Sequence, residues 1–187
     1  MVMSERLTDD ALAAKLVGGL RPTRVELREY DPAWPARYEA CAAQLRTILG
    51  DRARLIEHIG STSVPGLVAK PVIDIVAGID APDDEPAYVP ELEAAGYVVR
   101  VREPEHRCLR LERTDGPVNL HCYPPDHLEV RRYLVFRDRL RADAADRARY
   151  AAVKRELARH EWRDINYYAE AKWPVIREIL GNAGWTE

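Results

Sequence analysis

Apolar residues recur every three to four positions from Trp34 to Leu49 (Trp34, Tyr38, Cys41, Leu45, then Ile48 and Leu49). This predicts a helix over about 35–49, entered through Asp31-Pro32 and stopped at Gly50. An amphipathic helix is also expected from the start of the chain to about residue 20. Its N-cap is Thr8, Leu12 and Leu16 share a face, and Gly18-Gly19 ends it. Alternation at Val25, Leu27 and Tyr30 predicts a short strand over 24–30, and apolar runs predict strands over 54–59 and 71–79. A loop at 82–86, a brief helix over 90–95 ended by Gly96, and a strand over 97–101 follow. Leu109 and Leu111, then Val118, Leu120 and Cys122, alternate across Thr114-Asp115-Gly116. That is a hairpin signal, because Asp-Gly accepts the positive φ such turns need. Beyond Asp126 no further strand is expected, and helices fit 127–141, 143–160 and 164–181. The chain therefore divides into an extension (1–22), an α/β core (23–125) and a helical segment (126–187), packed as one compact unit.

Composition narrows the class. A chain of 187 residues, 47% hydrophobic and 32% charged, is ample for one globular domain. No apolar run reaches membrane-spanning length, and the first ten residues lack the basic-then-apolar pattern of a secretory signal. Cys41, Cys108 and Cys122 are too few and too scattered for a disulfide framework or a paired-cysteine zinc site, so a cytoplasmic protein with buried thiols is expected. A net charge of -3 argues against non-specific nucleic-acid binding and leaves room for a local basic pocket.

The stretch Ile56 to Val76, IEHIGSTSVPGLVAKPVIDIV, carries the candidate chemistry. Gly60-Ser61-Thr62-Ser63 is either a capped strand-to-helix turn or an anion site, where hydroxyls and free N–H groups meet a phosphate. Pro65 is a possible first residue of a following helix. Lys70 lies between this turn and Asp74, where it can reach a phosphate. Asp74 sits inside Val72-Ile73-Asp74-Ile75-Val76, where an unpaired carboxylate is costly, so it is either paired or functional. Asn119 and His121 share one face of their strand, with Val118, Leu120 and Cys122 on the other. His58, His121 and Asp74 together have the composition of a two-histidine, one-carboxylate metal site. In the helical segment most arginines read as ion-paired surface. Arg137 and Arg141 share a helix face, as do Tyr150 and Lys154, and either pair suits phosphate oxygens. Trp162, Tyr167, Tyr168 and Trp173 read as aromatic packing.

Val25 to Trp34, His58 to Ile75, Asn119-Leu120-His121, Phe136 to Arg141 and Tyr150 to Lys154 resemble the GrpB family, from about residue 22 to 181. That family is assigned to the nucleotidyltransferase superfamily. The resemblance implies an α/β (α+β) polymerase-β-like nucleotidyltransferase core with a mixed sheet, plus the C-terminal helical segment. It implies that Gly60 and Ser61 hold nucleotide phosphates and that Asp74 is the first metal-binding acid, for Mg²⁺. Val76 stands where a second acid is expected, and Asn119-Leu120-His121 occupies the strand of the third. Two-metal transfer draws on several carboxylates, so His121 is expected as ligand or acid/base.

Three functional classes follow. One is nucleotidyl transfer from an NTP to an acceptor, with Asp74 and His121 catalytic and Gly60, Ser61, Thr62, Ser63, Lys70, Arg137, Arg141 and Lys154 holding the nucleotide. The second is a binding protein for a nucleotide or phosphorylated metabolite, catalytically reduced. The third is an interaction protein whose arginine-rich helices dock a partner, with coenzyme A metabolism indicated because GrpB relatives occur fused to a dephospho-CoA kinase.

Overall fold

The computed structural model describes residues 8–186. Thr8 caps the first helix as expected, its hydroxyl accepting from the Ala11 N–H, but α1 spans only Asp9–Ala13. Residues 15–17 leave the helix to pair with a sheet edge. Val17 N–H donates to Arg100 O, and Arg102 N–H donates to Lys15 O. The edge takes the Val17 N–H and the Lys15 carbonyl, which are then lost to further helix. The part of the predicted helix before Thr8 lies outside the described residues.

The strand expected over 24–30 is only β1, Thr23–Arg24, although Arg28 makes a separate two-bond bridge with Ala69. Helix α2, Trp34–Leu49, forms as its periodicity predicts. It buries Trp34, Cys41, Leu45 and Leu49, and Gly50 closes it at φ +54. Strands β2 (Ala53–Ile59) and β3 (Ile73–Ile79) follow, then α3 (Val89–Ala94). Next come β4 (Val98–Glu103), β5 (His106–Leu111) and β6 (Val118–Tyr123). The hairpin across Asp115-Gly116 joins β5 and β6, with Gly116 at φ +110.

Among the described residues five strands form one mixed sheet, ordered β2-β3-β6-β5-β4, in which only β3 and β6 run parallel. The parallel pair puts Asp74 opposite Asn119 and Val76 opposite His121. One sheet face carries Ile73, Ile75, Leu109 and Leu120 and packs on α2 and α3. The other carries Ile59, Val76 and Tyr123 and meets α4, Leu128–Ala142, through Val130.

Helix α5 (Ala144–Leu157) follows α4. Its successor is β7, Glu161–Trp162, which pairs with β1 and was not expected from the sequence. The helix expected over 164–181 is two helices, α6 (Ile165–Ala171) and α7 (Trp173–Asn182). Pro174 has no N–H to continue α6 and fits the first turn of α7. Lys172 sits at the break, as the last cap of α6 and the first of α7. Val64, Leu67 and Val68 form a second core with Leu140, Tyr150, Val175 and Ile179. The 60–72 segment is thus clamped between the sheet and the C-terminal helices. No helix of the described residues is long and apolar enough to cross a membrane.

Candidate functional site

Gly60 ends β2 at φ +70 and ψ -174, a conformation available almost only to glycine. A Cβ here would stand 2.5 Å from Asp74 Oδ2. The turn therefore brings its backbone against the carboxylate. Gly60→Ala is expected to destabilise the fold by about 1–3 kcal/mol through strain and this clash. Chemical denaturation measures it, and an unchanged midpoint would show that the turn relaxes freely.

After Gly60 the chain makes one 3-10 turn, Ser61–Ser63, and no helix follows. Pro65 begins no helix, because 64–72 runs as irregular chain into the second core. The helix N-terminus expected to aim N–H groups at an anion does not form here. Two of the three hydroxyls brace the turn itself. Thr62 Oγ1 donates to Val72 O at 2.9 Å and lies 3.1 Å from His58 Nε2, and Ser63 Oγ donates to Gly60 O at 2.6 Å. Ser61 is hydrogen-bonded to the Tyr150 hydroxyl.

Asp74 is half-buried, walled by a chamber of polar side chains. Its Oδ1 accepts from Asn119 Nδ2 at 2.8 Å, and Asn119 Oδ1 accepts from Arg110 Nη1 at 3.1 Å. Burial raises the Asp74 pKa, while Lys70 and the Asn119 bond oppose the rise. Three lysines face this carboxylate from the 60–72 segment and the helices. Burial lowers Lys70 to about 8 and Lys172 to about 8, and in both Asp74 opposes the fall. Lys154 is driven well below its ordinary value by burial and by repulsion from Lys172 and Lys70.

The amines share two tyrosine rings. Lys172 Nζ lies 4.8 Å from the Tyr168 ring centre and Lys70 Nζ 5.7 Å, while Lys154 Nζ lies 5.3 Å from that of Tyr150. Lys172 Nζ also donates to the Tyr150 hydroxyl at 3.5 Å, and Lys154 Nζ donates to Val68 O. The Tyr168 hydroxyl is buried with no hydrogen-bond partner among the described residues. Unpaired buried polar groups and clustered buried cations are both costly unless a ligand satisfies them.

The expected site residues do not all converge. Gly60, Ser61, Lys70, Asp74 and Lys154 meet in this chamber. Arg137 and Arg141 do not; they line a separate cleft of about 690 Å³ with Tyr30, Tyr38, His58 and Ser63. There Arg137 pairs with Glu57 and donates to His58 O, while Arg141 donates twice to Ser63 O. Sequence spacing put Arg137 and Arg141 on one helix face correctly, but the 60–66 turn stands between that face and Asp74.

The three-residue metal site is corrected as well. His58 pairs with Ile75 and stacks on Tyr38, on the α2 side of the sheet, whereas Asp74 is on the other. His121 shares the Asp74 face, but its Nδ1 meets His106 Nε2 at 3.2 Å, and burial holds it neutral, down to about 3. Among the described residues no group of three or more His, Cys, Asp or Glu is placed to hold a metal ion. Asp74 alone, with its amide neighbour already engaged by Arg110 and lysines around it, does not fit Mg²⁺ as a resident ion.

A profile of the GrpB protein family matches residues 24–182. The chain belongs to the GrpB family. It is 47% identical over 184 residues to UPF0157 protein BH1888 of Halalkalibacterium halodurans, covering 96% of this chain and 93% of that protein. A GrpB crystal structure from Enterococcus faecalis superposes with a TM-score of 0.73 at 30% identity, over 86% of this chain and all of that one. A protein named dephospho-CoA kinase from Mycolicibacterium paratuberculosis is 32% identical over 85% of this GrpB chain, which spans 46% of that protein.

Sequence reasoning missed Lys172, Tyr168, Asn119 and Arg110 as parts of this GrpB site, and had Tyr150 as the face-sharing partner of Lys154. A signal was present. Tyr150-Ala-Ala-Val-Lys154 and Tyr168-Ala-Glu-Ala-Lys172 are two Tyr-x-x-x-Lys segments, each placing ring and amine on one helix face.

Proposed function

We propose that this GrpB protein binds a nucleotide, or another phosphorylated small molecule, by its phosphates in the Asp74 chamber. The observation that carries this reading is the convergence of Lys70, Lys154, Lys172 and Arg110 on one carboxylate. A ligand with two or more negative charges would restore the lysines' charged forms and supply the Tyr168 hydroxyl with a partner. Calorimetry with pyrophosphate, ATP, GTP, CTP and UTP, each with and without Mg²⁺, tests it. Saturable binding that is lost or weakened at least about tenfold in Lys70→Ala is expected, as removal of a buried charge contact predicts. No binding by any of the five sinks the reading.

Nucleotidyl transfer is a second reading, favoured by the carboxylate that the Gly60 turn holds beside the phosphate site. Asp74, its pKa raised by burial, is suited to accept a proton from an acceptor hydroxyl. Mg²⁺ arriving with the ligand's phosphates is an arm of the same test. Release of pyrophosphate during incubation supports transfer, and its absence alongside tight binding favours a binding protein. The relatives named dephospho-CoA kinase make coenzyme A precursors the first acceptors to try and such a kinase a candidate protein partner.

A further inference from the structure

The chain contains 24 arginines and four lysines. Arginine serves its surface ion pairs and the Ser63 cleft, yet three of the four lysines meet around Asp74. For holding phosphate alone, a guanidinium is the better matched group, with a permanent charge and a bidentate fork. Lysine differs in having a nitrogen that can lose its proton and attack. The chain thus places its few deprotonatable cations in the one chamber where burial favours their neutral form.

The three amines are not equivalent. Lys154 is 2% exposed and held by the Val68 carbonyl. Lys172 is reached by solvent, and its Nζ is joined through the Tyr150 hydroxyl to Ser61, on the turn that meets the phosphates.

We propose that Lys172 is the nucleophile of this chamber, taking the nucleotidyl group of a bound NTP into a covalent phosphoramidate before an acceptor receives it. The inference rests on the nucleotide reading above. The Nζ lone pair attacks the α-phosphorus, and a P–N bond forms. The bridging P–O bond between α- and β-phosphorus breaks, pyrophosphate leaves, and one amine proton passes to the water that reaches Lys172. Attack by the acceptor hydroxyl then breaks the P–N bond and returns a proton to the amine. No oxidant or reductant is involved, and the route does not draw on the second carboxylate whose place Val76 takes. At about 8, the Lys172 pKa leaves about a tenth of the amine neutral at pH 7.

The test is intact-mass spectrometry of the full chain after incubation with ATP, GTP, CTP or UTP, with and without Mg²⁺, quenched in alkali where P–N bonds survive. Calorimetry is run in parallel. One added nucleoside monophosphate is expected, mapped to Lys172, still formed in Lys15→Arg and lost in Lys172→Arg. Lys172→Arg keeps the positive charge, so its affinity should fall by less than about tenfold while the adduct disappears. Binding without any adduct in the wild type overturns the nucleophile and leaves the binding reading intact. An adduct mapped to another residue, or undiminished in Lys172→Arg, also overturns it. Absence of binding by all four nucleotides takes down both.

Discussion

Replacing Lys172 with methionine is expected to make the protein more stable at pH 7, not less. The amine stands under burial that lowers its pKa from 10.5 to about 8, a gap worth about 3 kcal/mol against the charged form. Methionine fills similar volume and carries no charge, and Lys70 and Lys154 still face Asp74, so most of that penalty of about 3 kcal/mol is relieved without leaving the carboxylate unpaired. A gain of about 2 kcal/mol corresponds to roughly 4–8 °C in melting temperature for a chain of this size. The sign of the pH dependence is fixed. Below about pH 8 both folded and unfolded chains hold the proton, so the wild type carries the full penalty. Between about 8 and 10.5 the unfolded chain still binds a proton that the folded chain has released, so wild-type stability rises relative to the variant. Above 10.5 the penalty is gone. Buried Cys108 and Cys122, whose thiols burial pushes up, act oppositely in alkali, but they are common to both proteins and cancel in the comparison. Thermal melts of wild type and Lys172→Met from pH 7 to 10 measure the gap. A variant less stable at pH 7, or a gap that does not narrow with rising pH, would show that the amine is not held against its charge.

Asp74→Asn should act in the opposite direction on stability. The carboxylate is what opposes the fall in pKa of all three lysines. Removing its charge while keeping its shape leaves those amines uncompensated, at a cost of about 3 kcal/mol for breaking one side of a buried ionic group. Pyrophosphate should then restore more stability to the variant than to the wild type. It should also bind the variant at least about tenfold tighter, because the repelling carboxylate is gone. Denaturation with and without pyrophosphate, followed by calorimetry, reads both effects. Weaker binding in Asp74→Asn, and only with Mg²⁺ present, would instead mark Asp74 as the ligand of a metal carried by the nucleotide. Tighter binding with transfer abolished would assign the anchoring of phosphate to the lysines and the chemistry to the carboxylate.

The stability argument bears on why such a chamber persists. Buried lysines above a single acid destabilise the free protein. Local conflicts of this kind are expected where a site is held ready for a ligand. A ligand binding only the folded state offsets them by mass action.

Local pattern fixed much of this molecule. The 3.6-residue period from Trp34 to Leu49 settled α2, and the Asp115-Gly116 turn settled the β5–β6 hairpin, because each signal depends on neighbours within a few residues. An acid inside the apolar run Val72 to Val76 singled out Asp74, since burying an unpaired carboxylate needs a reason that short-range packing does not supply. Tertiary structure decided what faces that acid. The parallel pairing of β3 with β6 chose Asn119 as its partner, and strand alternation put His58 on the opposite face. The break at Pro174 turned Lys172 toward the chamber, and the 60–66 turn walled off Arg137 and Arg141. The edge pairing of residues 15–17 likewise overrode the helical pattern around Leu16. These outcomes depend on contacts between residues up to about a hundred positions apart, which no local period encodes. Periodicity told which residues share a face of one element; only the packing of the elements told which faces meet.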